Sequence, residues 1–166
     1  MNHQINDNKT EVFIEYSDNV NALTDIQEKK IFDCIISVTQ ILSDSTKSVN
    51  LLVCDRKMMQ TLNNEYRQKN QVTDILSWAY DESEMTPIPG ESEIWGELAL
   101  CLEVCEKQAQ ESQWDLDTEL IRLLVHGMSH LAGYDHQTPK DEKEMLRLEM
   151  ELLSKIGFDD IYNQVE

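Results

Sequence analysis

The sequence is short of positive charge. It has 14 Lys and Arg residues against 32 Asp and Glu, which gives a formal net charge of −18. Phosphate contacts and counterion release supply much of the affinity of a nucleic-acid-binding protein, so the chain as a whole repels RNA and can attract a phosphate only at a local positive cleft. Four basic residues are candidates for such a cleft: Arg56, Lys57, Arg67 and Lys69. For the first two, a solvated helix face is an equally good interpretation.

Long apolar runs are missing near the start of the chain. Residues 1–30 contain several Asp, Glu and Asn, and their composition predicts neither a signal peptide nor a transmembrane helix. An Arg-rich transit peptide is absent as well. We therefore expect a cytoplasmic protein.

No two cysteines have the CxxC spacing of a redox or zinc motif. We predict that all four are reduced, buried and apolar in behaviour: Cys34, Cys54, Cys101 and Cys105. Linkers and internal repeats are absent too. A length of 166 residues with 40% hydrophobic content suits one domain over residues 1–166 with a single core.

The chain does have a cluster of histidines. Three of its four lie within eleven residues, at His126, His130 and His136. If the first part is helical, His126 and His130 project from one face about one turn apart and can bind one ion. Gly133 can take the left-handed backbone that ends a helix, and the chain can then return His136 to the same point. Because three ligands leave a fourth position open, this spacing favours a catalytic metal over a structural one.

A histidine on a helix is more often a core or surface residue than a ligand. Here, however, residues 120–125 are apolar nearly all round, and histidines on such a buried helix each need a partner. The nearest general motif is the His-Glu-x-x-His of zinc peptidases, and this chain has Gly127 in place of the glutamate base. Glycine cannot take a proton from water, which disfavours a peptidase. It leaves room instead for a bulky substrate group or a close-packed backbone.

Residues 126–136 closely resemble the His-Gly-x-Leu-His-Leu-x-Gly-Tyr-Asp-His signature of the YbeY family, which comprises bacterial zinc-dependent endoribonucleases implicated in ribosomal RNA maturation. Residues 62–69 and 73–77 are similar to the family's Leu-Asn-x-x-Tyr-Arg-x-Lys and Pro-Thr-Asp-Val-Leu-Ser blocks. Residues 96–98 are similar to its Gly-Asp-Ile strand. Ser129 stands where the family usually has Leu, and none of the departures falls on a proposed ligand.

The resemblance implies one Zn²⁺ per chain, held by His126, His130 and His136. It implies a catalytic role for Arg67, which matches the family's cleft arginine and could hold a phosphate with its planar fork of donors. The expected activity is single-strand-specific RNA cleavage in ribosomal RNA maturation and ribosome quality control. The expected partners are an rRNA precursor and the small ribosomal subunit or its assembly proteins, which would recruit a protein of weak intrinsic RNA affinity.

Several residues in these blocks have two interpretations. Asp135 can orient an imidazole or stabilise a turn. Lys69, Thr73 and Asp74 can serve the site or only cap a loop. Two functions of other classes also remain: a metal-dependent hydrolase of another substrate, such as a peptide, and a noncatalytic, metal-stabilised ribosome-assembly factor.

Hydrophobic periodicity predicts four strands and about five helices. The strands are expected at residues 11–16, 49–54, 75–80 and 94–101. Between the last two we expect an exposed loop over residues 81–93, and Gly96 is a candidate for a bulge or a close backbone approach.

Capping residues mark the helix starts. They are expected at Thr24 or Asp25, at Asp55, near Glu103, at Asp115 or Asp117, and at Thr138. The second helix is predicted to direct Met59, Leu62 and Tyr66 inward. Because strands and helices do not strictly alternate, the predicted fold is an α+β domain with a mixed four-stranded sheet and about five helices packed on it.

Overall fold

One mixed β-sheet forms the centre of the fold. The computed structural model describes residues 3–6, 10–43, 47–81, 93–159 and 161–162. The strands are β1 (His3–Asn6), β2 (Thr10–Tyr16), β3 (Lys47–Cys54), β4 (Ile75–Ala79) and β5 (Glu93–Cys101). They lie in the order β1-β2-β3-β5-β4. Strands β2, β3 and β5 are parallel, whereas β1 and β4 pair antiparallel at the two edges.

Five helices accompany the sheet. They are α1 (Asp25–Leu42), α2 (Arg56–Arg67), α3 (Leu102–Ser112), α4 (Leu116–Leu131) and α5 (Pro139–Lys155). The predicted α+β class, the mixed sheet and the five helices are confirmed. No described helix combines the length and the apolar character needed to cross a membrane.

The predicted count of four strands is wrong, because β1 was not anticipated. Its four residues include one apolar residue, Ile5, so they carry no alternating pattern, and the strand is defined by its pairing with β2. Of the predicted loop over residues 81–93, residues 82–92 lie outside the described residues.

Four of the five described helices begin at a side-chain cap, and α3 has none. Thr24 forms a capping box with Gln27 at the start of α1. The Asp55 carboxylate accepts from the Met58 amide at 2.8 Å, and the Asp115 carboxylate from the Thr118 amide at 2.7 Å. The structure therefore selects Asp115 over Asp117 as the cap of α4. Each such cap stabilises its helix by about 1 kcal/mol.

The main core lies between one face of the sheet and helices α1, α4 and α5. Its fully buried side chains come from β2, β3 and β5 and from the helices, and include Ile14, Leu51, Leu98, Leu100, Ile35, Leu120, Leu124 and Leu152. Fully burying one such side chain is worth about 1.5–3 kcal/mol. Helix α4 is buried on most of its circumference, as predicted, and this fixes the helix that carries two of the histidines.

The second face of the sheet carries α2 over a smaller core. That core contains Cys54, Met59, Leu76, Ala99 and Cys101. The prediction that Tyr66 points inward is wrong, because 62% of its surface is exposed. Tyr66 lies near the end of α2, where its ring contacts the edge of the Trp78 ring with centroids 5.1 Å apart.

Two glycines allow elements to approach closely. A Cβ at Gly127 would lie 2.9 Å from both Ile75 Cδ1 and Leu98 Cδ2, so this glycine lets α4 pack against β4 and β5. Of the two roles expected for Gly127, the close-packed backbone is the one observed. A Cβ at Gly96 would collide with the Trp78 carbonyl oxygen and lie 2.5 Å from Leu131 Cδ2. β5 is bulged next to Gly96. Ser48 and Val49 of β3 are consecutive, but they pair with Ile94 and Gly96.

All four cysteines are free and buried, as predicted. Burial raises the pKa of the Cys34 and Cys54 thiols to about 12. At neutral pH they are therefore protonated, and a protonated thiol is neither a good nucleophile nor a metal ligand.

Candidate metal centre

Three imidazoles converge at the C-terminal end of α4. His126 and His130 lie on the last two turns of the helix, and His136 lies on the segment that follows it. The Nε2 atoms of His126 and His130 are 3.2 Å apart, and one ring nitrogen from each of the three residues lies within 4.8 Å of the others. This cluster is the one predicted from the spacing.

A tight reversal of the chain brings His136 back to the helix. The Gly133 amide donates to the His130 carbonyl at 2.9 Å, and the Tyr134 amide donates to the Ser129 carbonyl at 3.1 Å. Gly133 has φ of +95°, a conformation that side chains other than glycine rarely adopt. The Asp135 carboxylate accepts from the His136 amide at 2.7 Å. Asp135 thus makes the turn-stabilising contact of the two roles expected for it.

Hydrogen bonds fix the orientation of two of the rings. His130 Nδ1 lies 2.9 Å from the Tyr134 carbonyl oxygen, and His126 Nδ1 lies 2.6 Å from Glu149 Oε1. A carbonyl oxygen can only accept a hydrogen bond, and the same is true of an ionised carboxylate. In both rings the N–H is therefore assigned to Nδ1. The Nε2 lone pairs of both rings are then left to face the centre of the cluster.

These residues fit a metal ion. Burial, together with the neighbouring His126, lowers the pKa of His130, so its neutral form, which can act as a ligand, prevails at neutral pH. Two nitrogens that bind zinc at 2.0–2.1 Å in a tetrahedron are about 3.3 Å apart, and the His126–His130 pair already has nearly this separation. Without a cation between them, two facing lone pairs at 3.2 Å would repel.

Sequence reasoning missed Glu149. This carboxylate lies on α5, is only 5% exposed, and holds His126 on one oxygen while its other oxygen accepts from the Tyr162 hydroxyl at 2.8 Å. The sequence contained a signal for Glu149, because its spacing from Met145 and Leu152 places it on the same buried face of α5 as these two apolar residues. A carboxylate on an apolar stripe needs a partner, and the structure identifies that partner as a proposed metal ligand.

Arg67 and the three histidines line one cavity of about 190 Å³. Gln68, in a left-handed conformation with φ of 57°, ends α2 and turns the chain toward β4. Arg67 is exposed, and its Nη2 donates to the Ser77 carbonyl at 3.2 Å. The rest of the lining comes from the end of α2, from β4 and from the segment between them: Asn63, Lys69, Gln71, Thr73, Asp74, Ile75, Leu76 and Ser77.

The fold divides the four predicted basic residues into two pairs. Arg67 and Lys69 line the cavity, whereas Arg56 and Lys57 lie exposed in the first turn of α2 and do not. The solvated helix face is therefore the correct interpretation for Arg56 and Lys57. Asp74 also lines the cavity, but its carboxylate accepts from the Ile75 amide at 2.6 Å and from Gln108 Nε2 at 3.3 Å. Those contacts fit its expected role in capping the segment before β4.

The mixed sheet, the histidine cluster and the facing arginine together have the arrangement of a metal-dependent hydrolase. A model of the endoribonuclease YbeY family matches residues 12–157. The chain belongs to the endoribonuclease YbeY family, and the resemblance stated from its motifs is confirmed.

Curated relatives support the assignment. The chain is 38% identical to the endoribonuclease YbeY of Borreliella afzelii over 126 residues, which cover 75% of this chain and 83% of the relative. It is also 38% identical to the endoribonuclease YbeY of Paraburkholderia phymatum over 122 residues, which cover 74% of each chain. The solution structure of a protein from Thermotoga maritima has the same fold, with a TM-score of 0.52, 20% identity, and coverage of 86% of this chain and 91% of that one.

Proposed function

We propose that this protein is a single-strand-specific, zinc-dependent endoribonuclease that acts in ribosomal RNA maturation and ribosome quality control. The observation that carries the proposal is the shared cavity, which Arg67 and the three histidines line in a chain of the endoribonuclease YbeY family. We take residues 1–166 as one functional unit. An RNA substrate and four free cysteines both favour the cytoplasm as its compartment.

The roles of the residues follow from their contacts. His126, His130 and His136 would hold one zinc ion, which when bound supplies a Lewis acid for a phosphate oxygen and lowers the pKa of its bound water. Glu149 keeps the proton of His126 on Nδ1 and leaves Nε2 free for the ion. Arg67 would hold the scissile phosphate at two points and stabilise the negative charge that develops on it.

We propose a single strand as the substrate. The cavity of about 190 Å³ has room for a phosphate and its immediate surroundings, and single-stranded segments are the RNA forms whose backbone and bases proteins reach most readily. Two basic residues on a body of net charge −18 provide little attraction for RNA. We therefore propose that the small ribosomal subunit or an assembly protein brings the rRNA precursor to the enzyme.

Two other functions are weaker candidates. A peptidase lacks its usual base, because Gly127 occupies the position of the glutamate and packs against β4 and β5. A noncatalytic assembly factor would need the metal but not a facing arginine.

One assay separates the three functions. Zinc-loaded protein is incubated with single-stranded RNA, with the same RNA in a duplex and with an unfolded protein, each with and without a chelator. We expect chelator-sensitive cleavage of the single strand only. Cleavage of the unfolded protein would replace the proposal with a peptidase, and a lack of cleavage by protein with full zinc content would replace it with the assembly factor.

A further inference from the structure

A groove of about 400 Å³ lies on the second face of the sheet, where α2 stops covering the strands. Its floor includes Leu52 of β3 and Ala99 of β5, and its sides include Tyr66, Trp78 and Tyr80. This volume is within the range of small-molecule sites. The groove and the metal cavity have no lining residue in common, although β4 and the end of α2 contribute residues to both.

The walls of the groove offer flat aromatic faces and groups that can still form hydrogen bonds. The indole N–H of Trp78 is buried and has no hydrogen-bond partner among the described residues, although buried donors normally have one. Burial, together with the hydrogen bond that the Tyr80 hydroxyl donates to the Glu97 carboxylate, raises the pKa of Tyr80 to about 12. A carboxylate has about four acceptor positions, so Glu97 can accept further hydrogen bonds.

Charge separates the groove from the metal cavity. Glu15 and Glu97 line the groove, whereas the cavity is lined by two basic residues, Arg67 and Lys69, and one carboxylate, Asp74. A phosphate is therefore repelled from the groove and attracted to the cavity. An uncharged aromatic ligand has no such penalty in the groove, and it can meet both the aromatic walls and the carboxylate acceptors.

The two sites share a boundary. Tyr66 lines the groove and Arg67, the next residue, lines the cavity; likewise Ser77 lines the cavity and Trp78 lines the groove. β4, which contributes residues to both sites, is an edge strand of the sheet. A nucleotide chain that crosses this edge can place a phosphate on one side of it and the attached base on the other.

We propose that this groove binds one unpaired nucleobase of the RNA next to the phosphate held at Arg67, with preference for bases that carry an exocyclic amino group. The amino group of cytosine, adenine or guanine can donate to Glu97, whereas uracil presents a carbonyl oxygen at the position of the cytosine amino group. The inference rests on the proposed RNA-cleaving function, because that function supplies the strand.

Free nucleosides test the groove without any cleavage. The Trp78 indole N–H signal, assigned by its absence in Trp78→Phe, is followed by NMR as cytidine or uridine is added. We expect a saturable shift with cytidine and weaker binding of uridine. Because a nucleoside has no phosphate, Arg67→Ala should bind cytidine as the wild type does. The absence of a saturable shift would overturn the proposal.

Three variants identify the contacts. Tyr66→Ala should lower cytidine affinity roughly 5- to 100-fold, the range found when an aromatic residue that stacks on a base is replaced, while Tyr66→Phe should retain the affinity. Glu97→Gln should remove the preference for cytidine over uridine, since an amide can also donate. Ile26→Ala, at an exposed position on α1, is the control and should bind like the wild type. If Tyr66→Ala binds cytidine as tightly as this control, or Glu97→Gln keeps the preference, the base assignment is wrong.

A cationic side chain is the competing occupant, because aromatic rings and carboxylates also attract cations. Acetyl-arginine amide is therefore titrated in the same way, and tighter binding of this probe than of cytidine would overturn the proposal in favour of a basic peptide. Benzyl alcohol tests for simple apolar binding, and an affinity equal to that of cytidine would overturn it as well.

A cleavage assay separates failure of the groove from failure of the proposed function. A single-stranded RNA is made in which one abasic nucleotide moves along the sequence. We expect KM to rise when the abasic nucleotide adjoins the cleaved bond, and Tyr66→Ala to lose this sensitivity. Cleavage with no abasic sensitivity at any position would overturn the groove and leave the endoribonuclease standing. Cytidine binding without any RNA cleavage would support the groove and refute the endoribonuclease.

Discussion

Arg67 is the residue on which the proposed cleavage mechanism depends most directly. It is exposed and makes one described hydrogen bond, to the Ser77 carbonyl, so its contribution to the stability of the fold is small. We predict that Arg67→Ala lowers the rate of RNA cleavage by about 10²–10³, or about 3–4 kcal/mol, as expected for the loss of one preorganised donor. Single-turnover cleavage, metal content and melting temperature are measured on the same samples.

Two matched substitutions make this prediction specific. Arg67→Lys should recover only part of the rate, because an ammonium cannot reproduce the planar two-point contact. Lys57→Ala removes an exposed charge at the other end of the same helix and should cleave like the wild type. If Arg67→Ala and Arg67→Lys both cleave at the wild-type rate, Arg67 is an ordinary surface residue.

Glu149 is predicted to act through His126. The variant Glu149→Gln keeps the size of the side chain but weakens the acceptor that holds the Nδ1 proton. Replacing such a partner typically lowers metal affinity 10- to 100-fold, and we expect a loss in this range when zinc is titrated against a competing chelator. Glu151→Gln, on the exposed side of the same helix, should have no effect. Unchanged affinity in Glu149→Gln would mean that the contact with His126 is structural only.

At the scale of elements, two glycines set how closely α4, β4 and β5 pack. At Gly127 an added methyl meets the ends of two side chains, and the gain in helix propensity of about 1 kcal/mol offsets part of the overpacking. At Gly96 it meets the backbone oxygen of Trp78, which cannot move without breaking the pairing of β4 with β5. Replacing glycine by alanine should therefore change the stability of the protein by different amounts at the two positions.

We predict that Gly127→Ala lowers the free energy of unfolding by about 1 kcal/mol and Gly96→Ala by about 3 kcal/mol. Urea unfolding measures both. Adding Ile75→Val to Gly127→Ala removes the Cδ1 atom nearest to the new methyl and should make the pair less destabilising than the sum of the single changes. The reverse order, with Gly127→Ala the more damaging, would contradict this account of the close approach.

At the scale of the whole molecule, a metal held by the three histidines would connect α4 to the segment that follows it. An ion that binds only the folded state stabilises that state in proportion to its affinity and concentration. We predict that a chelator lowers the melting temperature of the wild type, that zinc restores it, and that His130→Ala responds to neither. An equal response of His130→Ala and the wild type would show that the ion acts elsewhere.

We expect the charge of the whole molecule to limit the strength of RNA binding. With Arg67 and Lys69 as the basic residues of the cavity, about two phosphates should be neutralised, and the logarithm of affinity for a single strand should fall with the logarithm of salt concentration with a slope of about −1.4. Arg67→Ala should reduce the slope by about 0.7. A slope several times larger, measured by fluorescence anisotropy, would show a basic surface outside the cavity.

Features that depend on neighbours within a few residues could be predicted from the sequence. The i and i+4 spacing of His126 and His130 holds in any helix, and the caps at Asp55 and Thr138 satisfy amides three residues further along. Strands β2 and β3 could be predicted for the same reason, since the residue pattern of each strand is local. The motif blocks added the family and, through it, a role for Arg67.

Only the tertiary structure decided which distant residues meet. Glu149 reaches His126 because α5 packs against α4, and Arg67 and Lys69 join the histidines because the chain turns at Gln68 and enters β4. β1 forms a strand because it pairs with β2 through backbone hydrogen bonds. Tyr66 is exposed because α2 covers only part of the sheet. Each of these outcomes depends on contacts between elements far apart in the chain, and no local periodicity records them.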